Sequence, residues 1–445
     1  MRKKHIPQIS LLEFFCEHET GQQLKAISSR LDAQPLILDL AAKVLIRANT
    51  QLTGRNGLSV DSIVRAALLK QMMGLSYDEL SFYLADSLSY RSFARIEGSP
   101  SKSCLQSCIS LIDAQTWEEI NHLILADAVR EGIEKGRTVR IDSTVTETHI
   151  HPPTDSALLW DCVRVMVRQL TTLREAFTPD GFNFRNRGRS AKRKMRHIEF
   201  TRGANKTKLH KELLKLTRQT KSDLMVGLLL TQGVQQSPLP IAFQLEIEAL
   251  ITLTEKVIDQ TERRVLQGES VPHHEKVVSI FEPHTDIIVK GGRDIQYGHK
   301  LNITTGKSGL VLDIQVEQGN PADTARLCPM IERQKNIYGR VPRQVAVDGG
   351  YASMANLEQV KAMGVKDAAF HKQRGLKVAN MVKSSWVYKK LCDFRAGVEG
   401  NISCLKRRYG LSRCTWRGLK KFKAYVWSST VAYNLMQLAR VSPAN

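Results

Sequence analysis

The stretch "RQVAVDGGY" (Arg343–Tyr351) sets Val345 and Val347 against Ala346 and Asp348, then runs into two glycines. Alternation of period two is the pattern of a strand, here one that stops on an acid. A second stretch, "VRIDST" (Val139–Thr144), repeats the design, with Val139 and Ile141 alternating against Arg140 and Asp142. It reads as a short strand after Gly136, also ending on its acid. In both, the acid lies on the face opposite the two apolar residues. If the two strands are parallel neighbours, Asp142 and Asp348 emerge side by side, at the strand ends where open α/β sheets place ligands.

Working outward from these strands, residues 276 to 371 read as a mixed region. Strand patterns at "KVVSIFEP", "GHKLNITTG" and "LVLDIQVEQGN" precede a helix ("PADTARLCPMIERQKN"), the strand just quoted, a helix ("SMANLEQVKAM") and a strand ("KDAAFH"). That order predicts an α/β domain whose sheet begins as an antiparallel meander and continues through helix crossovers. The first 135 residues read as helices. Ser59 is a candidate N-cap, and Gly74 with Ser76 marks a break and a second start, a pattern shared by small bundles and by helix-turn-helix units. From about Asp155 to Arg264 the periodicity is again helical, around the cation-rich "FRNRGRSAKRKMRHIEFTRGANKTK".

Two neighbouring carboxylates repel unless a cation joins them. Mg²⁺ takes oxygen ligands and commonly uses one or two protein carboxylates. Gly349 and Gly350 after Asp348 would allow a close approach. Each acid alone is also explained as a strand-end residue facing solvent. The segment "FRAGVEGNISCLKRRYG" (Phe394–Gly410) adds a third acid: from Phe394 to Lys423, Glu399 stands alone among nine Lys and Arg. On a helix, Arg395, Glu399 and Lys406 project from one side, while Phe394, Val398, Ile402 and Leu405 form an apolar stripe.

The whole chain has 445 residues, with 65 Lys and Arg against 44 Asp and Glu, a formal charge of +21. Such an excess favours a polyanion, because each phosphate neutralised releases condensed counterions. From Arg185 to Arg218 there are thirteen Lys and Arg against Glu199 and Glu212. Arg185, Arg187, Arg189, Lys192, Arg193, Lys194 and Arg196 are its candidate DNA contacts, although charge runs often do no more than face water. The eight cysteines are scattered with no C-x-x-C pair, which reads as free thiols in a reducing cytosol. Pro7, Glu13 and Glu17 interrupt any secretory signal, and no apolar run reaches bilayer length. His149 and His151 form an H-x-H without a third ligand at zinc-site spacing. Trp416 and Trp427 lie among cations and could stack on a base or belong to the core.

The spacing R-x3-E-x6-K, with "VDGGY" and "IDST" upstream, resembles the DDE transposases of bacterial insertion sequences. Several groups of that family carry Y-x2-R-x3-E-x6-K; Arg395, Glu399 and Lys406 match it, and Cys392 stands at the tyrosine position. "LSYDELSFYLADSLSYRSFARI" and "FEPHTDIIVKGGRDIQYGHKLNI" also look like segments of these proteins. The resemblance implies an RNase H-like catalytic domain over 137–152 and 276–445, and a catalytic, metal-binding triad of Asp142, Asp348 and Glu399. It implies two Mg²⁺ ions (or Mn²⁺), with Arg395 and Lys406 holding DNA phosphates. The reaction implied is cleavage at transposon ends followed by strand transfer into target DNA. Partners implied are double-stranded DNA, at terminal inverted repeats and target, and further copies of the chain as a homodimer or higher oligomer. Asp142 and Asp348 are 206 positions apart (348 − 142), so 153–275 is expected to be a helical basic insertion. Residues 1–136 would then be a helical DNA-binding or oligomerisation domain. A nuclease or resolvase of the same fold shares the acids, as would a DNA-binding regulator derived from a transposase. A bacterial cytoplasmic, nucleoid-associated protein is expected.

Overall fold

The computed structural model describes residues 3–4, 14–46, 57–177, 182–232, 239–290 and 294–441. The readings at Pro7 and Glu13 and at residues 291–293 lie outside the described residues. The chain divides into two compact units, one of residues 1–149 with 288–445 and one of residues 150–287.

The first unit opens with α1 (Glu19–Asp32), α2 (Leu36–Leu45), α3 (Val60–Met72), α4 (Tyr77–Asp86), α5 (Leu88–Ala94), α6 (Lys102–Ile109) and α7 (Ala114–Arg130), followed by β1 (Thr138–Glu147). The cap read at Ser59 is in place, its hydroxyl accepting from the Ser62 N–H, and at the second start Ser76 forms a reciprocal capping box with Glu79. Gly74 turns the chain between α3 and α4 at φ +65°. Every residue of α3 is buried, and α4 carries Asp78, Glu79 and Asp86 with no Lys or Arg. The pair is therefore a packed helical hairpin.

The second unit holds α8 (Asp155–Thr172), α9 (Gly188–Phe200), α10 (Gly203–Gln232) and α11 (Ile241–Thr261) around its own apolar core. The strand expected at "KVVSIFEP" does not form. Val277 instead donates its N–H to Gln260 Oε1 at 2.8 Å, and its carbonyl accepts from Gln260 Nε2 at 3.1 Å. One buried side-chain amide meets the backbone groups that a ladder would have used, and Val277 packs into the helical core.

The chain then continues through β2 (Asp286–Lys290), β3 (Asp294–Gly306), β4 (Val311–Val316), α12 (Leu327–Tyr338), β5 (Gln344–Val347), α13 (Met354–Ala362), β6 (Asp367–Phe370), α14 (Val378–Met381), α15 (Ser385–Arg408) and α16 (Leu419–Val441). The mixed sheet has the order β2-β3-β1-β5-β6, with β4 also on β3. β1 and β4 pair with β3 antiparallel, while β1–β5 and β5–β6 are parallel. Helix α16, buried along most of its length, packs on α7, α3 and α1. Asn434 fixes it by giving Nδ2 to Asn121 Oδ1 and to the Val311 carbonyl, both at 2.8 Å, and by accepting from the Val311 N–H. The N-terminal helices and the sheet thus share one continuous core.

Candidate active site

Strands β1 and β5 are parallel neighbours with Ile141 opposite Val347, so Asp142 and Asp348 follow side by side. Asp348 ends its strand as expected. Asp142 does not, because β1 continues to Glu147 along β3 after β5 has finished. The acid therefore stands where the parallel pairing stops, on a strand held rigid beyond it.

The polar face of β1 is covered by α15, and one buried residue fixes their registration. Arg140 gives Nη1 to the Phe394 carbonyl at 2.6 Å, Nη2 to Asn401 Oδ1 at 2.6 Å and Nε to Thr305 Oγ1 at 2.8 Å. Its guanidinium also lies over the Phe394 ring, 4.7 Å from the centroid. A Cβ on Gly397 would meet Arg140 Nη1 at 2.3 Å, so this helical glycine makes room for the clasp. The apolar stripe read from the sequence faces inward, with Val398 and Leu405 buried and Phe394 and Ile402 packed against the core. Arg395 and Glu399 are consequently turned toward Asp142 on β1 and the end of β5.

Arg395 joins the three acids. Its Nη2 lies 3.0 Å from Asp142 Oδ2 and 3.8 Å from Asp348 Oδ1, and its Nη1 lies 3.0 Å from Glu399 Oε1. The Arg395 side chain is only 11 % exposed, against 70 % for Glu399. Asp142 also accepts the Ser143 N–H at 2.7 Å. Burial, the largest influence, pushes its carboxyl pKa up, reinforced by Asp348 and opposed by Ser143 and Arg395. A pocket of about 470 Å³ opens here, lined by Asp142, Ser143, Glu399, Ser403, Lys406 and Arg407 among others. Acids and cations thus line one concavity, as the handling of a metal-bound phosphate would require.

Ser143, Ser403, Arg407 and the clasp residue Arg140 were not singled out in the sequence. A fourth carboxylate, Asp323, was missed as well: it pairs with Lys300 at 2.6 Å and adds to the negative surroundings of Asp142. The two glycines after Asp348 have local reasons, since a Cβ on Gly349 would strike Lys372 and one on Gly350 would lie 2.9 Å from Asp323 Oδ2. At the position of the signature tyrosine, Cys392 is partly buried. One turn earlier, Tyr388 donates its hydroxyl to the Phe370 carbonyl at 2.8 Å.

The basic insertion residues divide. Arg185, Arg189, Lys192, Arg193 and Arg196 are exposed, the last four on the outer face of α9, whose inner face buries Ala191, Met195 and Ile198. Arg187 is instead paired with Asp223, and Lys194 with Glu212. His151 is taken up by Asp161 at 2.6 Å and the Pro152 carbonyl at 3.1 Å. Trp416 and Trp427 are core residues, 8 % and 4 % exposed, which removes them from base stacking.

Among the described residues no group of three His, Cys, Asp or Glu stands ready to enclose a metal ion. The donors Asp142, Asp348 and Glu399 are all carboxylates, the hard oxygen type that suits Mg²⁺ and Mn²⁺. They fit such an ion in chemistry, with the Arg395 guanidinium now lying among them. Two adjacent aspartates, one within β1 and one at the end of β5, thus meet a helix glutamate beside a pocket that also holds cations. Residues 274–435 match the family model described as "Transposase DDE domain", so the resemblance to a DDE transposase of an insertion sequence holds. The matched span includes Asp348 and Glu399 and begins after Asp142. No curated protein and no solved structure gives a significant match.

Proposed function

We propose that this protein is a DDE transposase in which Asp142, Asp348 and Glu399 carry Mg²⁺-dependent cleavage at transposon ends and strand transfer into target DNA. The observation that supports this most is the gathering of acids from β1, β5 and α15 around one guanidinium, beside a pocket that also contains Lys406 and Arg407. The antiparallel β4–β3–β1 set continued by parallel β5 and β6 supports an RNase H-like reading of the sheet.

Two Mg²⁺ ions, or Mn²⁺ in their place, would be held by the three acids, and such ions activate water and neutralise charge on a phosphodiester. The protein's own residues supply position. Arg140 fixes the height of α15 on β1, and hence the distance of Glu399 from the aspartates. Lys406 offers a point charge to a phosphate in the pocket, and a guanidinium such as Arg407 can take two oxygens. Arg395, expected to share that task, is directed at the acids. Cations of α9 in residues 153–275 would extend contact along the DNA, with at least a dimer needed to bring two ends together. Among the described residues no helix is long and apolar enough to cross a membrane, and a nucleoid-associated protein is the reading consistent with a DNA substrate.

Glu399→Gln tests the assignment. It should bind end-sequence DNA in a gel shift as the wild type does, yet release no cleaved strand in Mg²⁺; cleavage at the wild-type rate would refute it. Precut ends then separate joining from cutting alone. Strand-transfer product supports a transposase, while cleavage without it favours a nuclease of the same fold. A DNA-binding regulator would show no Mg²⁺-dependent cleavage.

A further inference from the structure

We propose that Arg395 is an internal counter-ion that competes with the divalent metal for the three acids, so that metal enters only as the guanidinium leaves. This rests on the reading of Asp142, Asp348 and Glu399 as metal ligands. The geometry makes the competition direct. The oxygens facing Arg395 are Asp142 Oδ2, Asp348 Oδ1 and Glu399 Oε1, and a divalent ion shared by these side chains would draw on the same three carboxylates. A guanidinium and a divalent ion repel, so both cannot lie among the acids at once.

Little else holds Arg395 in its place. Its buried Nε has no hydrogen-bond partner among the described residues, so the contacts that define its position are those to the acids. Its side chain is 11 % exposed, while Glu399, which takes its Nη1, is 70 % exposed and able to swing with it. Glu399 lines the pocket together with Lys406 and Arg407. A displaced guanidinium one turn from Glu399 would therefore reach the place where a phosphate is bound, and one residue would serve the acids before metal entry and the DNA after it.

Competition has a sign that a merely structural arginine would not produce. Removing the guanidinium should raise metal affinity, because a competing cation lowers apparent affinity by the fraction of molecules in which it has left. The test is Mn²⁺ binding by the full chain, read from the loss of the free Mn²⁺ electron paramagnetic resonance signal. R395Q should bind about tenfold more tightly than the wild type, the factor for a guanidinium in place about nine-tenths of the time. R395K, a single point charge, should fall between them. Thermal unfolding gives a second reading: R395Q should melt below the wild type in EDTA, and added Mn²⁺ should restore it by a larger shift than in the wild type. If R395Q is too unstable to purify without metal, R395K carries the test alone, with tighter binding expected. Unchanged or weaker Mn²⁺ binding in these variants would overturn the proposal. If the D142N/D348N double variant bound Mn²⁺ as well as the wild type, the metal-ligand reading itself would fail, a separate outcome.

Discussion

Two arginine networks in the first unit are built from the same side-chain types to opposite effect. Among the N-terminal helices, Arg65 and Arg95 meet Asp32 and Asp61, two cations for two acids. Arg65 gives Nε to Asp61 at 2.5 Å, Nη2 to Asp32 at 2.7 Å and Nη1 to the Ser28 hydroxyl at 2.8 Å. Arg95 takes the remaining Asp61 and Asp32 oxygens at 3.0 Å and 2.7 Å. Beside Asp142 of β1 and the end of β5, one Arg395 faces three acids. A network that serves only to pack helices can be neutral, with all four carboxylate oxygens of its two acids bonded, which is the least costly way to bury charge. The second keeps two negative charges in excess, with one acid buried enough that its pKa is raised. Such an arrangement opposes stability and makes sense as a place that another cation is meant to enter.

Substitutions on the two sides should therefore fail in different measurements. Arg65→Met leaves Asp61, only 5 % exposed, with Arg95 as its one cation and should cost about 3 kcal/mol in chemical denaturation. Asp348→Asn removes one of three like charges and should stay within about 0.5 kcal/mol of the wild type. The same Asp348→Asn protein should lose cleavage by roughly 10³-fold, the scale of removing one positioned group from a polar transition state. A large stability loss in Asp348→Asn would erase the distinction, since its acids would then be structural too.

Which parts of this arrangement could be read beforehand follows from the range of the interactions. Period two around Asp142 and Asp348, the cap at Ser59, the second start at Ser76, and the apolar stripe of α15 are local patterns, and each is found in place. Long-range pairing is what the letters conceal. Arg140 looks like the outward residue of an alternating strand, yet its partners are Phe394 and Asn401, more than 250 positions away. Asp323 belongs to a helix-entry segment with no acid pattern, and comes near Asp142 only through the fold. "KVVSIFEP" has a strand's composition, and what defeats it is a single glutamine on a helix. A cation-rich tract likewise gives no hint that Asp223 and Glu212 neutralise two of its members.

The second unit offers the opposite imbalance, one acid with two cations, and so sharpens the comparison. Asp161, 1 % exposed, holds His151 Nε2 and Arg164 Nη2, each at 2.6 Å. The hydrogen bond to Asp161 raises the His151 pKa above its ordinary 6.5, with burial and Arg164 acting against it. A histidine whose folded pKa is raised contributes stability below its unfolded value and loses that contribution as pH rises through the folded one. Unit 2 should accordingly be more stable at pH 6 than at pH 8, followed by hydrogen exchange of α8, and His151→Ala should flatten that difference. Asp161→Asn should cost about 2 kcal/mol, the scale of hydrogen bonds to a charged group. An unchanged pH profile in His151→Ala would show that this pair is idle.

The smallest effect separates two neighbours on α9. Arg193 is exposed on the outer face, whereas Lys194 is paired with Glu212. Both add one positive charge to the composition, so a view of the run as diffuse electrostatics treats them alike. Counterion release does not, because only a cation that neutralises a phosphate removes condensed ions, with a slope of about −0.9 per contact. Arg193→Ala should make the slope of log K against log salt shallower by about 0.9 and weaken binding by a few-fold at low salt. Lys194→Ala should leave the slope where it was, since Glu212 already balances that charge. Fluorescence anisotropy on one duplex from about 50 to 200 mM salt reads both. Equal shifts in the two variants would mean that Lys194 abandons Glu212 on the DNA, and that acid pairing on α9, unlike that among the N-terminal helices, is only a resting arrangement.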